Sequence, residues 1–401
     1  MSDEAPKPVL LMTGNLTLAP LFVPLAEHFR LAFADDAFAK AAEGFDVKDV
    51  LSLADFSGDT AVLDAKGQAM LAAADLVEEV GNGKLTLGTA TKLHGQALLR
   101  WLPVSAFEML SMSIARISAC SVLQKKEGIA GVLVHEDVTP NGRVLAQFGN
   151  AMGIPTMHLP HANHFLRPGS GDIHCTAVAE HLGVTGPYMR DWYSACGVMD
   201  DRMTTVGMPR WDKLYDEERL PSKAQARNAF GIKDGERVLG YGTTWFQVTS
   251  VWGDNPEAYL TESLHTVIAA AKETGAFLLL SMHPGELEEQ VNFYAQEIRG
   301  AGIRGAVARA HPEHTLRAMD CLVSQGPSNF GIEANILGTP VVELFVPGAR
   351  YPDGGPEGTW GKDLVSTIDR ATVHPGFATA MNAGASSIER TVEWVRATCS
   401  L

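Results

Sequence analysis

Short apolar runs alternate with longer stretches of helical period along most of this chain. The run Val9-Leu10-Leu11-Met12 predicts a buried strand ending at Thr13-Gly14-Asn15, and the apolar positions that follow recur at helical spacing over residues 20–33. Helical period returns over residues 70–80 and 105–126. A second strand is expected at 132–135, closed by Glu136 and Asp137; a helix over 143–152, stopped by Gly153, then leads to a third strand over 153–157. Strands over 176–178 and 203–206 flank a helix over 187–196.

A polar, charged stretch over 212–234 interrupts the pattern before a second series begins. It predicts strand 238–241, helix 259–273, strand 277–281, helix 286–300, strand 304–309 and strand 320–323. Strands alternating with helices imply parallel, doubly wound sheets. At 401 residues the chain exceeds one typical core. The pattern divides it into a Rossmann-like domain over 1–218, a second over 219–385, and a segment 386–401 whose helix, 387–398, crosses back to the first. The expected fold class is α/β, with two Rossmann-like domains facing a central cleft lined by the carboxyl-end loops of both sheets.

The segment from Ser324 to Leu344 carries the densest chemistry. An apolar strand runs into a small polar turn holding Ser324, Gly326 and Ser328; a helix opens at Asn329 with Glu333 one turn inside it, and Gly338 and Pro340 end it before a strand over 341–345. A helix start after such a turn offers unpaired N–H groups and the positive end of the dipole, which suit a phosphate. A glutamate one turn further in reaches ribose hydroxyls rather than the phosphate it repels. An ordinary strand-to-helix turn with a capping serine carries the same residues.

Composition narrows the ligand. A formal net charge of −15 argues against nucleic-acid binding, which needs a basic surface, yet a nucleotide can be held by a few dipoles and one or two cations. The five cysteines are scattered and read as reduced thiols, and the polar start of the chain reads as lacking a signal peptide, so a cytoplasmic protein is expected. Peripheral attachment to the inner membrane face is left open. Residues 101–123 are the nearest approach to a membrane span, but Glu108, Arg116 and helical spacing predict a buried helix. No G-x-G-x-x-G, P-loop or G-x-S-x-G occurs, and no D-x-D ends a strand.

In chain order stand Val134-His-Glu-Asp137, Gly153-Ile-Pro-Thr-Met-His158, Val206-Gly-Met-Pro-Arg-Trp-Asp212, Tyr241-Gly-Thr-Thr-Trp245, His283-Pro284 and the Ser324 segment. This series resembles the GT-B glycosyltransferase superfamily. The branch it is most similar to contains CDP-glycerol glycerophosphotransferases, capsule Kdo-transferase-like proteins and non-hydrolysing UDP-N-acetylglucosamine 2-epimerases. The resemblance covers residues 130–345 and implies a nucleotide-sugar donor in the second domain, a glycan or other acceptor in the first, and no cofactor. The epimerases have a His-Arg pair where this chain has Gly242-Thr-Thr-Trp-Phe246, and paired glutamates where it has Glu333-Ala334. The glycerophosphotransferases have Trp-His-Gly where it has only His158-Leu-Pro-His161-Ala-Asn-His164. A metal-independent, inverting sugar transfer is the expectation. An epimerase, a glycerophosphotransferase and a non-catalytic nucleotide-sugar-binding protein are the alternatives.

Such a transfer needs a base near the acceptor hydroxyl. Asp137 and Glu136, at a strand's carboxyl end, and His161, just past another, are the candidates; Asp137 could instead cap its own turn through Thr139. A metal site at His158, His161 and His164 is disfavoured by Pro160. On the donor side, Thr243 and Thr244 would present hydroxyl and amide donors, Ser324, Gly326, Ser328 and Asn329 the phosphate cradle, and Glu333 the ribose contact. Arg210 would neutralise a phosphate or pair with an acid, and the resemblance implies that His283 donates to the departing diphosphate. Gly14 and Asn15 occupy the place of the acceptor-side loop in such folds.

Overall fold

In the computed structural model, residues 6–81, 90–165, 175, 177–243, 256–309, 312–344, 354–359 and 361–401 are described. The apolar runs become strands buried on both faces, as parallel strands between helical layers must be. The first sheet comprises β1 (Val9–Met12), β2 (Arg30–Phe33), β3 (Leu51–Ser52), β4 (Ile129–Val134), β5 (Thr156–His158), β6 (His181–Val184) and β7 (Met203–Thr205), in the order β3-β2-β1-β4-β5-β6-β7. The second comprises β8 (Val238–Gly242), β9 (Phe277–Ser281), β10 (Gly305–Ala308), β11 (Cys321–Gln325), β12 (Val341–Leu344) and β13 (Glu357–Thr359), in the order β10-β9-β8-β11-β12-β13. Every pairing in both sheets is parallel.

Helices α1 (Phe22–Ala26), α2 (Asp36–Gly44), α3 (Asp59–Gly81), α4 (Ala90–Glu127), α5 (Pro140–Met152) and α6 (Pro187–Ala195) accompany the first sheet. Helices α7 (Lys223–Ala229), α8 (Pro256–Thr274), α9 (Glu288–Gly300), α10 (Pro312–Ala318), α11 (Asn329–Ile336), α12 (Leu364–Arg370) and α13 (Pro375–Met381) accompany the second. The last, α14 (Ser387–Thr398), returns to the first sheet, where Val392, Trp394 and Val395 share a core with Leu10, Met12, Leu31, Leu133 and Met157. Two glycines make room for it. A Cβ at Gly183 would lie 2.9 Å from the Trp394 ring, and one at Gly131 would lie 2.4 Å from Cys399 Sγ.

Several expectations are corrected. The helical spacing over 20–33 stops at Ala26, and Arg30–Phe33 is a strand beside β1, because pairing satisfies its backbone while Leu31 and Phe33 enter the core. The strand expected at 176–178 is instead His181–Val184, since Asp137 holds the amides of Val178 and Ala179 in a turn; Thr176 itself lies outside the described residues. Cys175 and Cys196, expected as free thiols, form a disulfide because the chain before β6 folds back onto the end of α6, with Cα atoms 4.9 Å apart. The apolar helix is not buried: Ala106–Glu127 has a mean hydropathy of 1.3 and only 22% of its most apolar window is enclosed. Its later turns pack through Ala119, Cys120 and Leu123, while Met109 and Met112 face solvent where α4 runs past the sheet.

Both sheets share one strand order, with the reversal between β1 and β4 in the first and between β8 and β11 in the second. At such a reversal the neighbouring loops leave in opposite directions and open a crevice at the carboxyl ends of the strands.

Candidate functional site

In the first crevice, Thr13 follows β1 and His135-Glu136-Asp137 follow β4. The Thr13 hydroxyl accepts from His135 N–H at 3.0 Å and lies 2.9 Å from His135 Nδ1. Burial, then the neighbouring His161, push the His135 pKa down to about 4 against the pull of Glu136. Glu136 is buried, and its Oε1 lies 2.7 Å from His161 Nδ1, with the geometry of an ion pair rather than an aligned hydrogen bond. The His161 side chain keeps 42% of its surface exposed, whereas Glu136 keeps 4%. An enclosed carboxylate thus orients an open imidazole.

Asp137 takes a different task. Its Oδ2 accepts from the N–H groups of Val178 at 2.6 Å and Ala179 at 3.0 Å, and Oδ1 lies 3.5 Å from His158 Nδ1, all in the interior. This position corrects both expectations for it, as a base at the cleft and as a cap of its own turn: Thr139 caps α5 itself by accepting from Gly142 N–H. The three histidines of the 158–164 loop diverge. His158 packs near Tyr193, His161 meets Glu136, and His164 lies against Trp192 with its ring 4.7 Å away. Asn15 caps the turn after β1 by accepting from Thr17, and Gly14 lies against the Phe38 ring, which a Cβ would strike.

In the second crevice, Ser328 caps α11 by accepting from Gly331 N–H, its hydroxyl 3.1 Å from that of Ser324. Gly326 supplies the left-handed turn between them at φ 72°. As at any helix start, the first amides of α11 have no partner within the helix. The Asn329 side chain is engaged elsewhere: Oδ1 accepts from both N–H and Nδ2 of Asn163, at 3.0 and 3.2 Å, which ties the 158–164 loop to α11. Glu333 accepts through Oε1 from Trp211 Nε1 at 2.7 Å and pairs with Arg210 at 3.2 Å. Arg210 therefore neutralises Glu333 in this structure, and both contacts fall on Oε1.

Thr243 follows β8; its hydroxyl donates to Glu286 and accepts from His283 N–H at 2.9 Å. That hydroxyl is an internal brace rather than a ligand donor. Thr244 lies outside the described residues. His283 ends the β9 loop, and Gly285 N–H donates to its Nδ1 at 3.0 Å. Burial, then Arg210 and then His161, hold its pKa below the usual imidazole value.

Contacts join His161 to Glu136, Arg210 to Glu333, and the 158–164 loop to Asn329 at the start of α11. The fold sets Asp137 and Asn15 apart. Thr13, His135, Asn163, Trp211 and Glu286 were not legible as site residues. Thr13, His135, Asn163 and Trp211 each lie inside a segment that the sequence singles out, whereas Glu286 does not.

No curated protein matches the sequence. The family profile described as CDP-glycerol:poly(glycerophosphate) glycerophosphotransferase matches residues 147–324. Among solved structures, the chain is similar to a UDP-GlcNAc 2-epimerase from Neisseria meningitidis bound to UDP-GlcNAc, at 13% identity and a TM-score of 0.56, covering 98% of this chain and 99% of that one. It is similar to Anabaena HepE in complex with UDP at 13% identity and a TM-score of 0.56, covering 98% and 100%. It also resembles a glycosyltransferase from Rickettsia africae at 8% identity and a TM-score of 0.50, covering 98% and 93%. The chain thus has an α/β fold of the GT-B type, two parallel sheets of one strand order, and the glycerophosphotransferase profile is similar to part of it, residues 147–324.

Proposed function

We propose that the chain transfers a sugar from a nucleoside-diphosphate sugar in the second crevice to an acceptor hydroxyl in the first. One arrangement carries this reading: an imidazole oriented by a buried carboxylate, His161 with Glu136, belongs to the first crevice, and an imidazole with a lowered pKa, His283, belongs to the second, which also holds the α11 start. The acceptor oxygen attacks the anomeric carbon while the bond from that carbon to the β-phosphate oxygen breaks. The acceptor proton passes to His161, and the nucleoside diphosphate leaves with its charge met by the α11 amides and His283. Attack opposite the leaving group inverts the anomeric centre. Glu333 Oε2 would hold the ribose, and the acceptor would be a glycan or other polyol.

The structural neighbours were solved with UDP-GlcNAc, UDP and UDP-glucose, so uridine donors head the panel to be tested. Incubation with single UDP-, GDP-, CMP- and CDP-linked donors and mixed acceptors should release nucleotide with one donor class. Epimer formation without nucleotide release would overturn transfer. A second reading is favoured by the family profile over 147–324: the same groups could direct an acceptor hydroxyl to the β-phosphorus of CDP-glycerol, with CMP leaving. CMP release from CDP-glycerol alone would select that reading.

A further inference from the structure

Glu286 belongs to no motif that the sequence singles out, yet three donors converge on its enclosed carboxylate. Oε2 accepts from the Thr243 hydroxyl and, at 2.8 Å, from His283 N–H; Oε1 accepts from the Tyr294 hydroxyl at 2.5 Å. Its carbonyl accepts from Arg309 at 2.9 Å, and its own N–H donates to His283 O at 3.0 Å. The charged and titratable groups around it are His283 on its own turn, Tyr241 on β8, Tyr294 on α9 and Arg309 after β10, whose guanidinium also pairs with Glu288.

The chemistry of that position is selective. Two O–H groups and one N–H all point at it, so only a group that accepts on both oxygens satisfies them. A glutamine must turn its amide hydrogens either toward Thr243 and His283 N–H, releasing that grip, or toward Tyr294, whose hydroxyl would then have to swing round and accept. The closed His283–Glu286 turn also aims Gly285 N–H at His283 Nδ1, at 3.0 Å. A nitrogen that accepts from an amide must carry a lone pair, so the neutral ring bears its proton on Nε2.

We infer that Glu286 is a positioning residue: by gripping Thr243 and the His283 backbone it holds His283 as an Nε2–H donor to the departing diphosphate. The inference rests on the transfer reading for its purpose, but the anchoring itself does not depend on turnover. Burial raises the Glu286 pKa above the ordinary carboxylate value, and the bonds from Thr243, Tyr294 and His283 N–H offset only part of that rise.

The test compares wild type with Glu286→Gln by nitrogen NMR of the histidine side chains at about pH 8, where imidazoles are neutral. Wild-type His283 should show a single Nε2–H tautomer, and the variant a mixture. An unchanged single tautomer in the variant overturns the inference. With an active donor, the variant should lose roughly 10- to 100-fold in kcat with donor KM within about 3-fold. It should lose nothing further in a His283→Asn background, and an additive loss there also overturns the inference. If no donor turns over, the transfer reading fails while the tautomer measurement still decides the anchoring. Should Glu286→Gln not fold, Thr243→Val, which removes the hydroxyl brace, must give the same mixed tautomer.

Discussion

Glu136 and Asp137 are adjacent and almost equally buried, yet they meet different partners. Asp137 closes the β4 end onto residues 178–179 through two amides, so Asp137→Ala should leave two buried N–H groups without acceptors and cost about 2–4 kcal/mol. Chemical denaturation would measure this, with nucleotide affinity nearly unchanged. Glu136→Gln and His161→Ala should do the reverse, lowering turnover roughly 10²- to 10⁴-fold with little change in melting temperature. His135 adds a pH signature. Its folded pKa, pushed to about 4, lies below the ordinary imidazole value, so the unfolded chain takes up a proton first as pH falls. The stabilisation is fully present above about pH 6.5 and is lost by about pH 4, in total on the order of 3 kcal/mol. Melting curves across that window should show a shallower slope for His135→Gln.

At the scale of elements, close approach matters more than propensity. A Cβ on Gly142, in the first turn of α5, would lie 1.8 Å from the Glu136 carbonyl, so Gly142→Ala should destabilise by about 1–3 kcal/mol and shift Glu136 away from His161. A fall in both stability and turnover would check it. Ser328→Ala removes the α11 cap and should cost about 1 kcal/mol, with weaker nucleotide binding by calorimetry. Most strands were legible because buried parallel strands are continuous apolar runs, as in Val9–Met12 and Phe277–Ser281. The β2 strand was not: Leu21, Phe22, Leu25 and Phe29 set a helical period that runs into Arg30–Phe33 without a glycine or proline to break it. Site residues show the same divide. Strand-end motifs singled out His161 and His283 as candidates, whereas the bond between Thr243 and Glu286 spans 43 positions and exists only in the fold.

For the whole molecule, direct contacts hold the two crevices opposite each other. Asn163 grips Asn329, and Met208 N–H donates to the buried Asn382 Oδ1 at 2.9 Å. Asp212 accepts from the amides of Ser387 and Ile388 at 2.9 and 2.8 Å, fixing the start of α14. Asn163→Ala frees a clasp between the halves, so small-angle scattering should report a larger average radius without nucleotide and a return toward the wild-type value with it. Asp212→Ala should loosen α14 and lower the stability of the first domain more than that of the second, which hydrogen exchange resolves domain by domain.

The return of α14 also has a consequence in time. A ribosome finishes β7 at Thr205 but reaches Trp394 only after the whole second sheet has been made. Until then Leu10, Met12, Leu133 and Met157 lack the wall that Trp394 and Val395 supply, while the later domain already has its complete set of strands. The usual order, in which the domain made first is also the first to fold, is thus inverted. The nascent chain carries an open apolar face from the completion of β7 until α14 is made, the interval in which a chaperone would be needed.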